Sequence, residues 1–535
     1  MPEPVRGDQK YLPGLDGLRA FAVAAVVAYH LGYGWAQGGL LGVGVFFTLS
    51  GYLITDILVG QWAARGRIRL GDFWMRRARR LLPALFVMLA VVTVWVNGFA
   101  RSFVPGFRGN VVASVFYVSN WWFIGQHSSY YARFAPPTPL DHLWSLAVEE
   151  QFYLVWPWVV LLLVWLAGEA RKRRRGLADG LGGLAGPVDG PGGGVPYLTQ
   201  RSRLVLAGVT LALAAGSAML MAHLYDPGYD PTRVYEGTDT RAFGLLIGAA
   251  VAMVWPTRRP TADGKSAERR VPAAVRWLLD AAGVAGLVVI LLLVWRTNQY
   301  SDFMFRGGLV LLSVATAATV AAVVTPGSLL GRALGVRPLR WIGVRSYGIY
   351  LWHYPVIVLT TAVGAAGSPV SVWRALAVIA GTVAAAALSW RVIEEPIRRG
   401  ARLRWVAPDK AATPNQAMET SEAKATGGGD VTGEPDRNAA GGGWRPSWLK
   451  RPVLPRSPQA IGGMCLFGAA VLAAGVTASM RLTSETTHTT AAQQTSANAR
   501  LSNSDGRPAG LAGPAGPSGH GGEAARGGVA ARGAA

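Results

Sequence analysis

The sequence contains little charge and almost no cysteine. Only 15% of its 535 residues are charged, and Cys465 is its single cysteine. One cysteine excludes an internal disulfide framework and a metal site built from cysteine ligands, and so few charges are unusual for a soluble domain. Apolar sequence takes their place, because 51% of the residues are hydrophobic and the chain contains 20 tryptophans. This composition predicts an integral membrane protein.

Acidic residues are scarcer than basic ones, which leaves a net charge of +22. In a soluble protein this charge would point to nucleic acid. Here the basic residues fall mostly in alternate loops between apolar segments, the pattern that keeps loops on the cytoplasmic side of a membrane. We therefore expect a lipid bilayer as a partner and no nucleic acid.

Eleven apolar segments are long enough to cross a hydrocarbon layer of about 30 Å. They lie near residues 15–34, 39–60, 81–98, 143–167, 204–224, 241–256, 277–295, 307–325, 347–364, 374–392 and 459–480. A further segment at 110–125 is shorter and carries several polar side chains. If it crossed, the basic run at 171–175 and every later basic loop would lie outside. If it is re-entrant, these loops and the N-terminus all lie inside, which the positive-inside rule favours.

The predicted fold is an all-α integral membrane protein, a bundle of ten core transmembrane helices plus one re-entrant segment and one extra C-terminal transmembrane helix. The core occupies residues 1–400. Polar, glycine-rich sequence predicts a disordered cytoplasmic linker at 401–458, followed by the additional transmembrane helix at 459–480. The Thr, Ser, Ala and Gly composition of 481–535 predicts a disordered extracytoplasmic tail.

The first helix carries two residues that a bilayer penalises, Arg19 and His30. They are eleven residues apart, so they share one helix face and are separated by about 16 Å along the axis. Such a pair can hold the anionic end of a ligand at one depth and act on its reactive end at another. The alternative is a snorkelling arginine and a histidine that is hydrogen-bonded to a neighbouring helix.

Two adjacent carboxylates, Glu149 and Glu150, lie about two turns inside the outer end of another apolar helix. In the predicted topology Glu149 and His30 lie at similar depth. A carboxylate that orients an imidazole and stabilises its charged form recurs in acyl-transfer sites. The alternative is a hydrogen bond between the two residues that only specifies helix packing.

Four arginines occupy five positions where a cytoplasmic loop enters a helix: Arg76, Arg77, Arg79 and Arg80. Arginines at such a place anchor a helix against anionic lipid. The planar guanidinium also grips phosphate oxygens with two hydrogen bonds. This segment by itself leaves both roles open.

The sequence resembles the membrane-bound acyltransferase 3 family over residues 10–400. The resemblance rests on segments that occur in the family's order, RAFAVAAVVAYH, GVGVFFTLSGYLIT, RRARRLLPA, SLAVEEQFYLVWP, DTRAFGLLIGA, SYGIYLWHYPV and IEEPIRR. The family's Arg-x10-His motif falls on Arg19 and His30, and its Arg-x-x-Arg motif falls on Arg77 and Arg80. Its Ser-Leu-x-x-Glu motif begins at Ser145 and ends at Glu149.

Two departures from the family pattern stand out. In the second-helix motif this chain has Gly44 where the family often has an acidic residue, which removes one polar contact. Some relatives continue past the extra final span into an extracytoplasmic hydrolase-like domain, whereas here a tail of 55 residues follows.

The resemblance implies an O-acyltransferase of the bacterial inner (plasma) membrane. Such an enzyme moves an acyl group, expected to be acetyl, from cytoplasmic acyl-CoA to a hydroxyl of an extracytoplasmic cell-envelope carbohydrate. It implies His30 and Glu149 as catalytic residues, with Glu149 orienting His30, and Arg19, Arg77 and Arg80 as ligands of the CoA phosphates. Imidazole can accept the acyl group covalently or act as general base, and both remain open. The donor is expected to be acetyl-CoA, without a metal.

Four further residues are predicted to contact the acceptor: Glu150, Asp239, Arg241 and His353. A surface ion pair is the alternative for Asp239 and Arg241. The predicted protein is multi-pass, with a cytoplasmic N-terminus and an extracytoplasmic C-terminal tail.

Two other functions fit parts of the pattern. An acyltransferase of a diffusible glycosylated metabolite, such as a macrolide, would use the same residues with another acceptor. A secondary transporter would use Arg19, His30 and Glu149 as a substrate and proton site. Transporters often contain internal repeats, and the absence of a repeat in this sequence disfavours that function.

Overall fold

The computed structural model describes residues 11–126, 138–180, 199–257, 259–260, 266–267, 271–360 and 371–398. The predicted linker at 401–458, the additional helix at 459–480 and the tail at 481–535 lie outside the described residues. Those three predictions therefore stay predictions.

The described residues form sixteen α-helices and one very small sheet. The helices are α1 (Pro13–His30), α2 (Gly42–Arg65), α3 (Leu70–Phe99), α4 (Val104–Val115), α5 (Ser119–Gly125), α6 (Leu143–Gly180), α7 (Gln200–Leu224), α8 (Thr232–Glu236), α9 (Thr238–Val254), α10 (Ala273–Arg296), α11 (Leu309–Val323), α12 (Leu329–Leu334), α13 (Arg337–Val344), α14 (Ser346–Thr360), α15 (Val372–Ser389) and α16 (Glu395–Arg398). Short 3-10 turns occupy Gly34–Leu41 and Arg101–Phe103, and π turns occupy Met304–Gly308 and Trp390–Glu394. Two strands, β1 (Arg259–Pro260) and β2 (Ser266–Ala267), pair antiparallel.

Eight helices in the described part of the chain are long and apolar enough to cross a membrane. They include α2, α3, α6, α7, α9, α10, α11 and α15. The other two predicted core spans, 15–34 and 347–364, correspond to α1, with 18 residues, and to α14, with 15. Residues 361–364 of the second of these spans lie outside the described part. The fold is that of an all-α integral membrane protein, as the hydropathy pattern predicts.

The predicted re-entrant segment consists of two short helices, α4 and α5, rather than one. Tyr117, with a φ of 54°, breaks the chain between them, and Gln151 of α6 donates a hydrogen bond to the Tyr117 carbonyl at 2.8 Å. α6 then begins next to His30 at the far end of α1, because His142, just before α6, contacts α14 where α14 meets His30. This order agrees with a segment that enters the bundle and returns to the same end.

The first helix is held in the bundle by close backbone contacts. A Cβ on Gly17 would lie 2.0 Å from the Leu334 carbonyl oxygen, and one on Gly343 would lie 1.8 Å from the Asp16 oxygen. Gly343 lies near the end of α13, three residues before α14 begins at Ser346, and His30 at the other end of α1 meets His353 of α14, so α1 and α14 run side by side in the same direction. This packing carries His30, at the end of α1, to the side of α14.

The helices α2 and α9 pack closely against each other, and each contributes one glycine to the contact. A Cβ on Gly51 would lie 1.8 Å from the Leu245 carbonyl oxygen, and one on Gly248 would lie 2.0 Å from the Thr48 oxygen. Small residues at helix crossings allow this approach in membranes, where packing rather than hydrophobic burial drives association.

Gly51→Ala is expected to destabilise the bundle by about 1–3 kcal/mol, because the added methyl group must push two backbones apart. The measurement is thermal unfolding of the detergent-solubilised protein. Gly60→Ala is the matched control on the same helix, since a Cβ there meets nothing within 4 Å. Equal melting temperatures for the two variants would contradict the close packing of α2 on α9.

Candidate active site

Three histidines from three different segments meet at one end of α1. Nε2 of His353 lies 3.1 Å from Nδ1 of His30, and the two rings are 5.0 Å apart. The ring of His142 lies 5.5 Å from that of His353. His142 and His353 are buried, whereas His30 keeps partial exposure. His142 was missed in the sequence, although it stands three residues before Ser145 of the Ser-Leu-x-x-Glu motif.

The hydrogen bonds of His353 determine which nitrogen of neutral His30 carries the proton. Nδ1 of His353 lies 2.5 Å from the Tyr350 carbonyl oxygen. Since a carbonyl oxygen only accepts, Nδ1 of neutral His353 carries the proton and Nε2 holds a lone pair. Nδ1 of His30 must then donate to His353. The lone pair of neutral His30 is therefore on Nε2, the nitrogen turned away from this bond.

Glu149 is hydrogen-bonded to residues other than His30. Its carboxylate accepts from the Ser50 hydroxyl at 3.2 Å and from the Tyr153 hydroxyl at 3.0 Å. No hydrogen bond joins Glu149 and His30, both of which are described. The sequence predicts that Glu149 orients the His30 imidazole. In the structure His353 of α14 is hydrogen-bonded to His30 instead, because α1 packs directly on α14.

Hydrogen bonds connect the first turn of α6, which precedes Glu149, to the histidines. Ser145 lies one turn before Glu149 on α6, and its hydroxyl is 2.6 Å from that of Tyr350. The Tyr350 hydroxyl donates to the His142 carbonyl at 2.9 Å, and the Tyr350 carbonyl accepts from His353. The Ser-Leu-x-x-Glu motif is thus joined to the histidine cluster through its serine.

The three predicted arginines lie together at the other end of this region. Arg80 interacts electrostatically with Arg19, and Arg77 lies over the Tyr153 ring at 4.9 Å. Arg77 also interacts with the carboxylates of Glu149 and Glu150. The bundle therefore gathers Arg19, Arg77 and Arg80 as the sequence predicted, with the two glutamates facing them.

Polar atoms in this arginine region are left without partners. Nε of Arg19 and Oε1 of Glu150 are buried with no hydrogen-bond partner. Arg19 has a distant ion-pair contact, at 4.0 Å, with Asp16. Arg77, Arg80 and Glu149 keep partial exposure to solvent. Buried polar atoms normally find partners, so these atoms indicate a place where a polar ligand completes the bonding.

Asp239 and Arg241 do not pair with each other. Asp239 forms a two-pronged ion pair with Arg233, at 3.0 and 2.7 Å, and about a third of its side chain is exposed. Arg241 is 2% exposed, and its guanidinium lies 4.9 Å from the Tyr235 ring centre. A Cβ on Gly44 would lie 3.8 Å from Nη2 of Arg241, so the family's usual acidic residue would face this arginine.

Two carboxyl groups beyond the histidines were missed in the sequence. Glu236, at the end of α8, is 1% exposed, and its Oε2 has no hydrogen-bond partner. It interacts electrostatically with Asp141, which precedes His142. Burial raises the pKa of the Asp141 carboxyl to about 6, although hydrogen bonds from Thr138 oppose the shift. Both residues flank motifs, and only the folded chain brings them together.

No group of three or more His, Cys, Asp or Glu side chains within the described ranges is placed to hold a metal ion. The histidine cluster instead uses its nitrogens for hydrogen bonds to one another and to main-chain carbonyls.

Comparison with known proteins identifies the chain's relatives. A family model described as "Acyltransferase domain" matches residues 12–391. The Bacillus subtilis protein named "Putative peptidoglycan O-acetyltransferase YrhL" is 44% identical over 389 residues, which are 73% of this chain and 55% of that protein. The peptidoglycan O-acetyltransferase OatA of Listeria monocytogenes is 42% identical over 400 residues, 75% of this chain and 58% of the relative.

The O-acetyltransferase OatA of Staphylococcus aureus is 37% identical over 390 residues, 73% of this chain and 58% of the relative. The chain thus spans less than two thirds of the length of these relatives. No solved structure matches it.

Proposed function

Because this chain belongs to the Acyltransferase domain family, we propose that it is an O-acyltransferase that transfers an acetyl group from acetyl-CoA to a hydroxyl of a cell-envelope carbohydrate. The printed names of the relatives, peptidoglycan O-acetyltransferases, support this reaction and this class of acceptor. The observation that carries the proposal is one arrangement. Three arginines and His30 lie in one bundle, and Arg19 and His30 are about 16 Å apart along α1.

The arginine cluster is the proposed site for the CoA phosphates. Arg77, Arg80 and Arg19 present planar donors that match phosphate oxygens, and Nε of Arg19 has no partner of its own. Glu149 and Glu150 interact electrostatically with Arg77. The basic loops on this side support a cytoplasmic location for this cluster, the compartment in which acyl-CoA is found.

His30 is the proposed catalytic base. Its Nε2 takes the proton of the acceptor hydroxyl, and the hydroxyl oxygen attacks the thioester carbonyl carbon. The carbon–sulfur bond breaks, the CoA thiolate leaves, and it recovers a proton from the imidazolium. His353 accepts the bond from Nδ1 of His30 throughout, so it orients the ring and stabilises the charged form. A direct acyl transfer to Nε2 would use the same lone pair.

Acetyl-labelled acetyl-CoA supplied to the cytoplasmic face of membrane vesicles tests the function. The expected result is label, removable by mild base, on peptidoglycan added to the other face. Label on a soluble glycoside would instead indicate a diffusible acceptor. No CoA-dependent transfer to either acceptor would overturn the proposal and favour a transport function.

A further inference from the structure

We propose that Glu236 and His142 form the binding site for the acceptor hydroxyl, on the side of His30 opposite the arginines. This inference rests on the proposed function, because it names the site at which the carbohydrate of that reaction is held. Each of these two residues has a buried polar atom that the proposed reaction does not otherwise use.

His142 and Glu236 each have one side-chain atom that is buried in the protein interior without a hydrogen-bond partner. Nε2 of His142 lies 3.2 Å from the Leu351 carbonyl oxygen, so it carries the proton and Nδ1 holds a lone pair. Nδ1 of His142 and Oε2 of Glu236 are both buried without a hydrogen-bond partner, and both residues are 1% exposed. Leaving such an atom unpaired costs about 1–3 kcal/mol, which a ligand that donates hydrogen bonds recovers.

The two residues lie around one shared neighbour, Tyr354. The Tyr354 ring lies 4.8 Å from that of His30 and 5.2 Å from that of His142. Its phenol interacts electrostatically with Glu236 and with Asp141. Glu236, His142 and His30 therefore all interact with the same tyrosine.

The backbone around Glu236 is fixed from two directions. The Tyr235 ring packs on that of Trp144, two residues after His142, at a centroid distance of 4.9 Å. Asn120, on α5, donates to the Glu236 carbonyl oxygen at 3.1 Å and to the Thr238 hydroxyl at 2.9 Å. α5 thus holds the end of α8 that carries Glu236, which gives α5 a role in the acceptor site.

The chemistry of the two atoms selects the ligand. An imidazole lone pair only accepts, so the ligand must donate to it. A carboxyl group also accepts and, when protonated, donates as well. A saccharide hydroxyl donates and accepts and therefore satisfies both atoms, whereas an ionised phosphate offers no donor. Arg19 lies about 16 Å from His30 along α1, so the proposed sites for the anionic donor and for the acceptor are at opposite ends of this helix.

The test is steady-state kinetics of the full chain in lipid nanodiscs, with acetyl-CoA and base-treated, soluble peptidoglycan fragments as the probes. Glu236→Gln is expected to raise KM for the fragments about tenfold, the effect of one lost hydrogen bond. KM for acetyl-CoA and the slow hydrolysis of acetyl-CoA without fragments are expected to stay unchanged. Asp226→Asn, which alters an exposed carboxylate in the outer loop before α8, is the matched control.

An unchanged KM for the fragments in Glu236→Gln would overturn the inference while leaving the proposed function intact. So would an equal loss of acetyl-CoA hydrolysis and transfer, because that result marks a structural role. If Glu236→Gln does not accumulate, Glu236→Asp keeps the carboxyl group but shortens its reach, and it must show the same selective rise. No transfer by the wild-type chain would overturn the proposed function and this inference with it.

Discussion

His30→Ala is expected to lower acetyl transfer at least about a thousandfold, because general-base catalysis by a positioned imidazole contributes on this scale. Because Nδ1 of His30 donates to His353, the lone pair of the neutral imidazole is on Nε2. The alanine variant keeps both helix contacts of α1 near Gly17 and Asp16, so it should insert normally. The measurement is the initial rate of label transfer in vesicles that contain equal amounts of each protein.

His223→Ala is the matched control, because His223 is an exposed histidine in the last turn of α7. It should transfer acetyl groups at the wild-type rate. Wild-type activity in His30→Ala would remove the base from the proposed reaction, and an equal loss in both variants would indicate a general effect on the bundle.

His353→Ala is expected to lower acetyl transfer about a hundredfold, less than His30→Ala and more than His223→Ala, because it leaves His30 in place but releases its ring.

Glu149→Gln distinguishes Glu149 from His353 as the residue that orients His30. If Glu149 acts through the arginines, its variant changes KM for acetyl-CoA, whereas loss of His353 changes kcat. A kcat effect confined to Glu149→Gln would restore the carboxylate as the partner of His30.

Hydropathy was enough to predict the eight helices of the described residues that are long and apolar enough to cross a membrane, because a span must satisfy its backbone internally and must be apolar over a fixed length. The eleven-residue spacing of Arg19 and His30, rather than hydropathy, predicts their shared face, which is a property of a single helix. The break at Tyr117 was not visible, since it depends on a positive φ held by Gln151 of another helix.

The partners within the site were harder to predict, because they depend on which helices touch. Similar depth in the membrane suggested that Glu149 would meet His30, but depth says nothing about the side of the bundle. The structure turns Glu149 to Ser50 and Tyr153 and brings α14 to α1. Glu236 carried no signal of its own, since its importance comes from burial without a partner.

Arg77→Ala and Arg80→Ala are expected to raise KM for acetyl-CoA tenfold or more each, about the cost of removing one side of a partly buried charge pair. Arg79→Ala is the matched control, because Arg79 lies between them on α3 but is exposed. If the whole basic segment served only to hold anionic lipid, all three variants would behave alike, and the sequence alone left that role open.

A donor that lacks the 3′-phosphate, acetyl-dephospho-CoA, turns this comparison into a test of contact. With the wild-type chain, removing the phosphate should raise KM by the same factor as removing the arginine that binds it. In the variant lacking that arginine, the two donors should then have equal KM values, because a lost interaction cannot be lost twice. Arg77 and Arg80 both adjoin other charged groups, so the arginine whose variant abolishes the discrimination is the one that contacts this phosphate. Undiminished discrimination in both variants would place the nucleotide elsewhere and separate the arginine cluster from the chemistry at His30.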